Sequence, residues 1–335
     1  MNSRNRTTLA RTMLALMLGG APLASQAAPP PVYVITPNSP DVIGELGQTT
    51  SVYEDTISDL ARVFDQGYRE MRLANPKVDS WLPGDGTHVL VPSMYIIPQA
   101  PRDGIIINTA EMRLYYFNGK EANGAKRLMT FPISIGREQW VTPKGRTTVV
   151  GKVKDPAWHP PKSIRKEHAE EGDILPAVVP AGPNNPLGTH ALMLGIEGYL
   201  IHGTDKPFGI GMRVTHGCIR MYPEDIITMF NATPVGTPVY IVNQPYKVGI
   251  ASGNIYLEVH PHLEEEQDKA TEEQYSKVVK MILERVKGQD AALVWADIKH
   301  ALESPTGIPQ VVGTVQPKAG TEASSAAITR HVARN

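Results

Sequence analysis

The residues best suited to chemistry in this sequence lie between positions 201 and 222. Cys218 is the only cysteine among the 335 residues, with His216 two positions before it and His202 sixteen positions before it. A cysteine attacks as its thiolate, so it needs a nearby imidazole to accept the thiol proton. His216 and Cys218 share a face if their segment is extended, and His202 ends an apolar run typical of a strand that could return alongside. The set predicts a thiol nucleophile served by a histidine base.

Two residues beside the cysteine suit substrate binding. Gly217 permits a tight turn, and backbone N–H groups around Gly217 and Cys218 are candidates for an oxyanion hole. Arg220 offers a fixed, forked set of donors that fits a carboxylate. These residue types favour acyl transfer on a substrate that carries a free carboxylate.

Two other interpretations of the same residues remain open. His202, His216 and Cys218 could ligate zinc, but their spacing matches no common zinc pattern and there is no obvious fourth ligand. The sequence therefore predicts no metal and no other cofactor. Alternatively, Cys218 could be a buried, inert thiol, as free cysteines often are. A second His-Gly pair at 202–203, in a chain with no other thiol, favours the nucleophile.

Composition places limits on the class of protein. The chain is 41% hydrophobic and 20% charged, which is ordinary for a globular protein and suits two modest domains. Residues 1–27 carry three arginines and no acid, and without them the formal net charge changes from −1 to −4. A slightly acidic body argues against a nucleic-acid partner. No apolar run reaches the ~20 residues of a membrane span.

Residues 1–27 have the pattern of a secretory signal peptide. The three arginines precede a short apolar run at 12–18, and small residues stand at 25 and 27. We expect the mature chain to begin near Ala28 in the periplasm, which is an oxidising compartment.

Residues 41–98 predict a small module. Ile57, Leu60, Ala61 and Phe64 have helical spacing behind a capping box at 56–59. A second short helix must stop at 75–76, which is Asn-Pro, and a strand follows at 88–92. The pattern resembles a LysM module, a βααβ unit that binds the glycan of peptidoglycan. The alternative is a packing subdomain without a ligand.

The rest of the chain predicts three further regions. Residues 104–245 are mostly β-rich runs with one helix at 223–230. Their Pro-rich stretch, 155–190, has no clear hydrophobic periodicity and is expected to be a lid or a tethered surface loop. Residues 263–303 carry two helical apolar stripes, the second running from position 291 to 302. Residues 304–335 are expected to form a flexible tail.

The motif residues resemble a known catalytic family. Ile201-His202-Gly203-Thr204 and Thr215-His216-Gly217-Cys218-Ile219-Arg220 are similar to the signature of the L,D-transpeptidases with a YkuD-type domain. Supporting pieces are Ile135-Gly136, the Thr-Pro-x-Gly segment at 142–145 and the Pro-rich block at 175–183, which resembles the ErfK/YbiS/YcfS/YnhG branch. The family pattern often has Asn where this chain has Arg220. The resemblance implies an α+β, two-part fold. It consists of a LysM-like module, then a mainly β, sandwich-like catalytic domain, then a C-terminal helical extension.

The resemblance also implies a mechanism and partners. Cys218 would attack the meso-diaminopimelate carbonyl of a peptidoglycan tetrapeptide stem, releasing D-Ala and forming a thioester. His202 would be the general base and His216 would support the thiolate, while Arg220 would bind a stem carboxylate. Gly203, Thr215 and Gly217 complete the expected substrate-binding set.

The acceptor of the acyl group stays open at this point. The branch commonly uses the C-terminal Lys of an outer-membrane lipoprotein. A second stem peptide would give a 3→3 cross-link, and water would give a hydrolase. A non-catalytic wall-binding protein is the alternative from another class. Five histidines outside the motif are expected to be ordinary surface or loop residues: His159, His168, His190, His260 and His262.

Overall fold

The structure is a computed structural model that describes residues 30–119, 124–269 and 272–316. The predicted signal peptide, residues 1–27, lies outside the described residues, as does 317–335 of the predicted tail. Within the described ranges, every helix is too short or too polar to serve as a membrane span.

The N-terminal part contains a βααβ unit. The β3 and β4 strands pair antiparallel, with Gly47 opposite Val91, and the two helices lie between them in sequence. As predicted, Thr56 and Asp59 form a capping box at the start of α1, and α2 ends before the Asn75-Pro76 pair. The elements of this part are β1 (Val32–Ile35), β2 (Val42–Gly44), β3 (Gly47–Thr50), α1 (Ile57–Val63), α2 (Tyr68–Ala74), β4 (His88–Val91) and β5 (Met94–Ile96).

The central part is mainly β. Its predicted helix at 223–230 is present as α4, which begins at Pro223 and runs two residues further than predicted. The elements are β6 (Gly104–Asn108), β7 (Arg113–Asn118), β8 (Lys126–Pro132), β9 (Ile135–Gly136), β10 (Gly145–Lys154), α3 (Lys162–Glu170), β11 (His190–Leu194), β12 (Leu200–His202), β13 (Arg213–Thr215), β14 (Ile219–Arg220), α4 (Pro223–Ala232) and β15 (Pro238–Val242).

One nine-stranded sheet organises this part and encloses its core. The strand order is β1-β8-β7-β6-β15-β10-β11-β12-β14. Leu114 and Phe131, from one half of the sheet, share a single buried core with Ile201 and Ile219 from its far end. Because the two ends meet across this core, the sheet curls over itself, and the expected sandwich is one continuous curled sheet.

The insert 155–190 is more ordered than its lack of a period indicated. It contains α3, where Ile164 is the buried contact of an otherwise polar helix. The base of the insert is closed by a hydrogen bond from the Asp155 amide to the Thr189 carbonyl at 2.7 Å. A single apolar anchor gives no repeating stripe, which is why the sequence pattern missed the helix.

The C-terminal part corrects two predictions. The second apolar stripe is not one helix, because its first residue, Ala291, lies in strand β18. The predicted tail is a strand in its described portion, since β19 pairs with β17 and β18 and buries Val312. The elements are β16 (Tyr246–Ala251), β17 (Asn254–Val259), α5 (Glu272–Arg285), β18 (Asp290–Leu293), α6 (Trp295–Glu303) and β19 (Gln310–Gln316).

Buried ion pairs join the three parts. Arg113 on β7 bonds both carboxylate oxygens of Glu70 on α2, at 2.6 and 2.9 Å. Lys247 on β16 lies 2.6 Å from Glu111 and 2.7 Å from Glu258, and all three side chains are at most 1% exposed. Such pairs need well-placed partners, because charges removed from water are costly when left alone. The N-terminal part is therefore held in a fixed orientation on the central part.

Candidate active site

The predicted chemical residues line one cleft of about 630 Å³. Cys218, His202, His216 and Arg220 contribute from the body of the central part. The insert contributes the opposite wall, with lining side chains that include Trp158, Ile164, Glu167, His168, Glu171 and Asp173. The insert thus forms one wall over the candidate residues.

Parallel pairing of β12 with β14 aligns the thiol and the imidazole. His202 lies opposite Arg220 in the register, and Cys218 stands two residues before Arg220. Cys218 directly precedes β14, and the side chains of all three residues line the cleft. The intervening Ile201 and Ile219 are fully buried in the core on the other face. The hydrophobic core therefore fixes the direction in which the polar residues point.

Cys218 is half-buried and protonated at neutral pH. Its Sγ atom lies 3.5 Å from the carbonyl oxygen of Gly198. Burial raises the pKa of the thiol, while a hydrogen bond from the Leu200 amide and the charge of Arg220 oppose that rise. The resting group is a thiol, so attack requires a base that removes its proton.

His202 is suited to be that base. It is only 4% exposed, and its Nδ1 atom lies 2.7 Å from the carbonyl oxygen of Gly203. Because a carbonyl can only accept, Nδ1 carries the proton and Nε2 is left as an acceptor. Burial and the charge of Arg220 lower the pKa of His202 to about 3. The imidazole is therefore neutral at physiological pH and able to accept a proton.

The loop that carries Cys218 is held by two threonine hydroxyls. The Thr215 hydroxyl donates to the Cys218 carbonyl at 2.6 Å and accepts from the Gly217 amide at 3.1 Å. The Thr142 hydroxyl donates to the Gly217 carbonyl at 2.8 Å and accepts from the Gly136 amide at 3.0 Å. The Gly217 amide is thus already bonded, and any oxyanion donor in this loop must be another N–H group.

Two glycines allow the loop to pack closely. Gly217 has φ +102°, and a Cβ atom there would lie 2.8 Å from Cε1 of Tyr199. A Cβ atom on Gly136 would meet the Trp140 carbonyl and would lie 2.9 Å from the Gly217 Cα atom. These contacts give the separate motif pieces at 135–136 and 142–145 one physical role, which is to seat the cysteine loop.

His216 does not share an extended face with Cys218, contrary to the expectation. Strand β13 ends at Thr215, and the turn at Gly217 directs the His216 ring away, edge-on to Trp140 with centroids 5.1 Å apart. Its Nε2 atom lies 2.8 Å from Nη2 of Arg137 and 3.2 Å from Oε2 of Glu167. Burial and the Arg137 charge lower the pKa of His216 to about 4, so the ring is neutral and accepts from the guanidinium.

Sequence reasoning missed Arg137 and Glu167. Arg137 directly follows the Ile135-Gly136 motif piece, which was a usable signal. Glu167 lies in the insert, where no periodic pattern indicated a helix, and it also forms an ion pair with Arg137. Only Arg137 therefore had a signal among its neighbours in sequence, and Glu167 had none.

Arg220 lines the cleft and has unused hydrogen-bonding capacity. Its Nε atom is buried and has no hydrogen-bond partner among the described residues. Burial lowers the pKa of the guanidinium, while Asp205 and Cys218 act to raise it. A buried donor of this kind is suited to a carboxylate ligand.

The remaining histidines divide into two groups. The expectation of ordinary surface or loop residues is wrong for His190 and His260, which are 9% and 4% exposed. His190 lies in β11 and packs edge-on against Phe230, while His260 bonds Glu258 at 2.6 Å. His190 therefore packs against a residue distant in sequence, whereas His260 bonds a carboxylate two residues away. His168 lies on α3 beside the cleft, and His159 is exposed.

Comparison with known proteins identifies the family of this chain. Residues 102–241 match the family model of the YkuD L,D-transpeptidase catalytic domain. The chain is 38% identical over 268 residues to "Probable L,D-transpeptidase ErfK/SrfK" of Salmonella typhimurium, covering 78% of this chain and 84% of that protein. It is 44% identical over 202 residues to "Probable L,D-transpeptidase YbiS" of Escherichia coli K12, covering 60% of this chain and 64% of that protein. The solved catalytic domain of an E. faecium L,D-transpeptidase is 21% identical to this chain, covering 43% of this chain and 99% of that one, with a TM-score of 0.32. On the extent of its sequence identity, this chain belongs to the L,D-transpeptidase family.

Proposed function

We propose that this enzyme is a cysteine-dependent peptidoglycan L,D-transpeptidase of the cell envelope. The observation that carries the proposal is the shared face of β12 and β14. There the single thiol of the chain lies in one cleft with a buried, neutral imidazole whose acceptor nitrogen is fixed by Gly203. This pair supplies a nucleophile and a base without any cofactor.

The reaction follows from these two groups. His202 takes the thiol proton as Cys218 attacks the carbonyl of the meso-diaminopimelyl residue in a tetrapeptide stem. The C–N bond to D-Ala breaks, and His202 returns the proton to the leaving amine. The acyl group is held as a thioester until an acceptor amine attacks it, which forms the new amide and restores the thiol.

The surrounding residues support this reaction. Arg220 binds a stem carboxylate through its guanidinium, whose Nε atom has no hydrogen-bond partner among the described residues. Gly203 orients the base, and Thr215 and Gly217 shape the loop that presents the sulfur. His216 contributes at the cleft wall, where it accepts from Arg137 rather than contacting the reacting bond.

The favoured acceptor is the C-terminal Lys amine of an outer-membrane lipoprotein. Asp205, Glu171 and Asp173 line the cleft and offer carboxylates that attract a cationic side chain. A second stem peptide is also an amine acceptor and would give a 3→3 cross-link. Water in its place would make the enzyme an L,D-carboxypeptidase.

The N-terminal part, residues 41–98, is proposed as a LysM-like module that binds wall glycan. Tyr53, Trp81 and Leu82 are 71%, 74% and 68% exposed, and they lie in the connections on either side of the helix pair. Exposed aromatic faces suit stacking on sugar rings. Trp81→Ala should weaken sedimentation of the protein with purified sacculi, whereas Trp295→Ala, at a 52% exposed tryptophan of the C-terminal part, should not.

Export of this chain is part of the proposal. Residues 1–27 would act as the signal peptide, with residues 104–245 as the catalytic domain, 263–303 as the C-terminal extension and 304–335 as its end. Detection of a mature chain beginning near Ala28 in a periplasmic extract would support export. Retention of the full-length chain in the cytoplasm would contradict it.

The central experiment measures products by mass spectrometry. Purified residues 28–335 and the Cys218→Ala variant are incubated with tetrapeptide muropeptides, with or without a peptide that ends in Lys. A Lys-linked tripeptide formed only by the unmodified enzyme would establish an anchoring transpeptidase. A stem-to-stem dimer would make it a cross-linking enzyme, and free tripeptide alone a carboxypeptidase. An unreactive thiol and no turnover would leave only wall binding.

A further inference from the structure

The insert places a carboxylate against Arg137 and His216 of the catalytic body. Glu167 on α3 forms an ion pair with Arg137 and lies 3.2 Å from His216. The three side chains are 28%, 33% and 21% exposed, so water and ligands reach all of them. This contact closes the insert against the wall of the cleft.

Charge is distributed unevenly across the cleft. The insert contributes three acids, Glu167, Glu171 and Asp173. The body contributes the cations Arg137, Lys206 and Arg220, together with the acid Asp205. The insert thus presents carboxylates to a basic wall, as a bound acidic ligand would.

The contact of Glu167 with His216 is not a favourable one. The Nε2 atom of His216 accepts from Arg137, so its lone pair is already used and it carries no proton for a carboxylate. Of these two neighbours, Arg137 is therefore the one that attracts the Glu167 carboxylate. A guanidinium binds any carboxylate of suitable geometry, so Glu167 can be replaced by a ligand carboxylate at little cost.

We propose that Arg137 determines donor specificity by anchoring the free carboxylate of the diaminopimelyl residue, and that Glu167 occupies this anchor in the unliganded enzyme. The inference rests on the proposed function. Diaminopimelate carries two carboxyl groups. One forms the scissile amide that Cys218 attacks, and the other is free to exchange with Glu167. A donor whose second carboxyl is amidated lacks the charge needed to displace Glu167.

The proposal predicts opposite effects for the two partners. Arg137→Ala should weaken binding of the free-carboxylate donor by about tenfold or more, since a charge-assisted pair is lost. It should leave binding of the amidated donor nearly unchanged. Glu167→Gln should tighten binding of the free-carboxylate donor, because the competing charge is gone. Glu170→Gln is the matched control, since Glu170 lies on the same helix, pairs with Lys166 and is 67% exposed.

The experiment separates binding from turnover. In the Cys218→Ala background, calorimetry measures the dissociation constants of tetrapeptide stems whose diaminopimelyl residue is free or amidated. With Cys218 intact, kcat and KM are measured for the same pair of donors. Arg137→Lys should recover part of the preference for the free carboxylate, which a purely structural role of Arg137 would not produce.

Two outcomes would overturn the proposal. One is that Arg137→Ala weakens the binding of both donors equally, which would show that Arg137 only holds the insert. The other is that the enzyme with Arg137 and Glu167 unchanged binds both donors with equal affinity. If the enzyme turns over both donors without discriminating between them, Arg137 is not the carboxylate anchor, but the proposed transpeptidase activity stands. If the enzyme binds the free-carboxylate donor more tightly than the amidated donor but shows neither turnover nor acylation of Cys218, the anchor stands and the proposed chemistry is rejected.

Discussion

The Nδ1 atom of His202 lies 2.7 Å from the carbonyl oxygen of the next residue, Gly203. This short-range contact determines which ring nitrogen carries the proton, and it leaves Nε2 able to accept one. Gly203 is itself tightly packed, since a Cβ atom there would lie 3.0 Å from the Ile226 side chain on α4. The tautomer of the proposed base is thus tied to the packing of α4 on the sheet.

The first prediction concerns the ionisation of the thiol. Burial raises the pKa of Cys218, and the pKa of His202 is lowered to about 3. A resting thiolate–imidazolium pair is therefore not expected. The rate of alkylation of Cys218 by iodoacetamide should rise steadily with pH, with a midpoint above the ordinary cysteine value of about 8.5. A plateau of reactivity between pH 4 and 7 would show a preformed ion pair and contradict this prediction.

The second prediction concerns acid stability. The pKa of a histidine in the unfolded state is about 6.5, whereas the pKa of His202 in the folded chain is about 3. As pH falls, the unfolded state therefore binds the proton before the folded state does. Stability from this group is complete above pH 6.5 and is lost as pH falls toward 3, by at most about 1.4 kcal/mol per pH unit. His202→Gln should flatten the slope of the free energy of unfolding between pH 6.5 and 4.

Urea denaturation at several pH values measures that slope. His159→Gln removes an exposed histidine and serves as the control, which should keep the parent slope. An unchanged slope in His202→Gln would mean that His202 is protonated in the folded chain at these pH values.

The third prediction concerns the cysteine loop. Gly217→Ala combines φ +102° with a Cβ atom 2.8 Å from Tyr199, so the loop must shift. Thioester formation by Cys218 should fall by about a hundredfold, because small displacements of reacting groups have costs of this size. Gly236→Ala has φ +92° but no atom within 4 Å of the new Cβ atom, so it tests backbone strain alone.

Mass spectrometry of the acylated protein with time gives the rate for both variants. Equal rates in Gly217→Ala and the parent would show that the contact with Tyr199 does not hold the loop. Circular dichroism at the same temperature checks that both variants are folded.

The fourth prediction concerns the buried ion cluster. Lys247→Met removes the ammonium between Glu111 and Glu258 and leaves two carboxylates at most 1% exposed. Breaking such a cluster should lower the free energy of unfolding by about 3–5 kcal/mol. Lys299→Met removes an exposed pair with Glu303 at 3.7 Å and should change it by less than about 1 kcal/mol. Equal effects of the two substitutions in urea denaturation would contradict the buried role of Lys247.

Local sequence signals located several elements correctly. The capping box at Thr56 and Asp59 marked the start of α1, and the Asn75-Pro76 pair marked the end of α2. Pro223 with two acids marked the start of α4. Each signal acts through hydrogen bonds or steric limits within about one helical turn, so neighbouring residues are enough to specify it. Helix α3, with one buried side chain, and strand β19, which needs β17 and β18 as partners, carried no such signal.

The sequence by itself determined the chemical inventory, which is one thiol, two histidines in His-Gly pairs and Arg220, all within twenty residues. Only the tertiary structure decided their roles. Parallel pairing of β12 and β14 turned His202 toward the face of Cys218, while the turn at Gly217 directed His216 to Arg137. The physical reason is that residue types are local properties. The direction of a side chain depends on strand register and on core contacts between segments far apart in the chain.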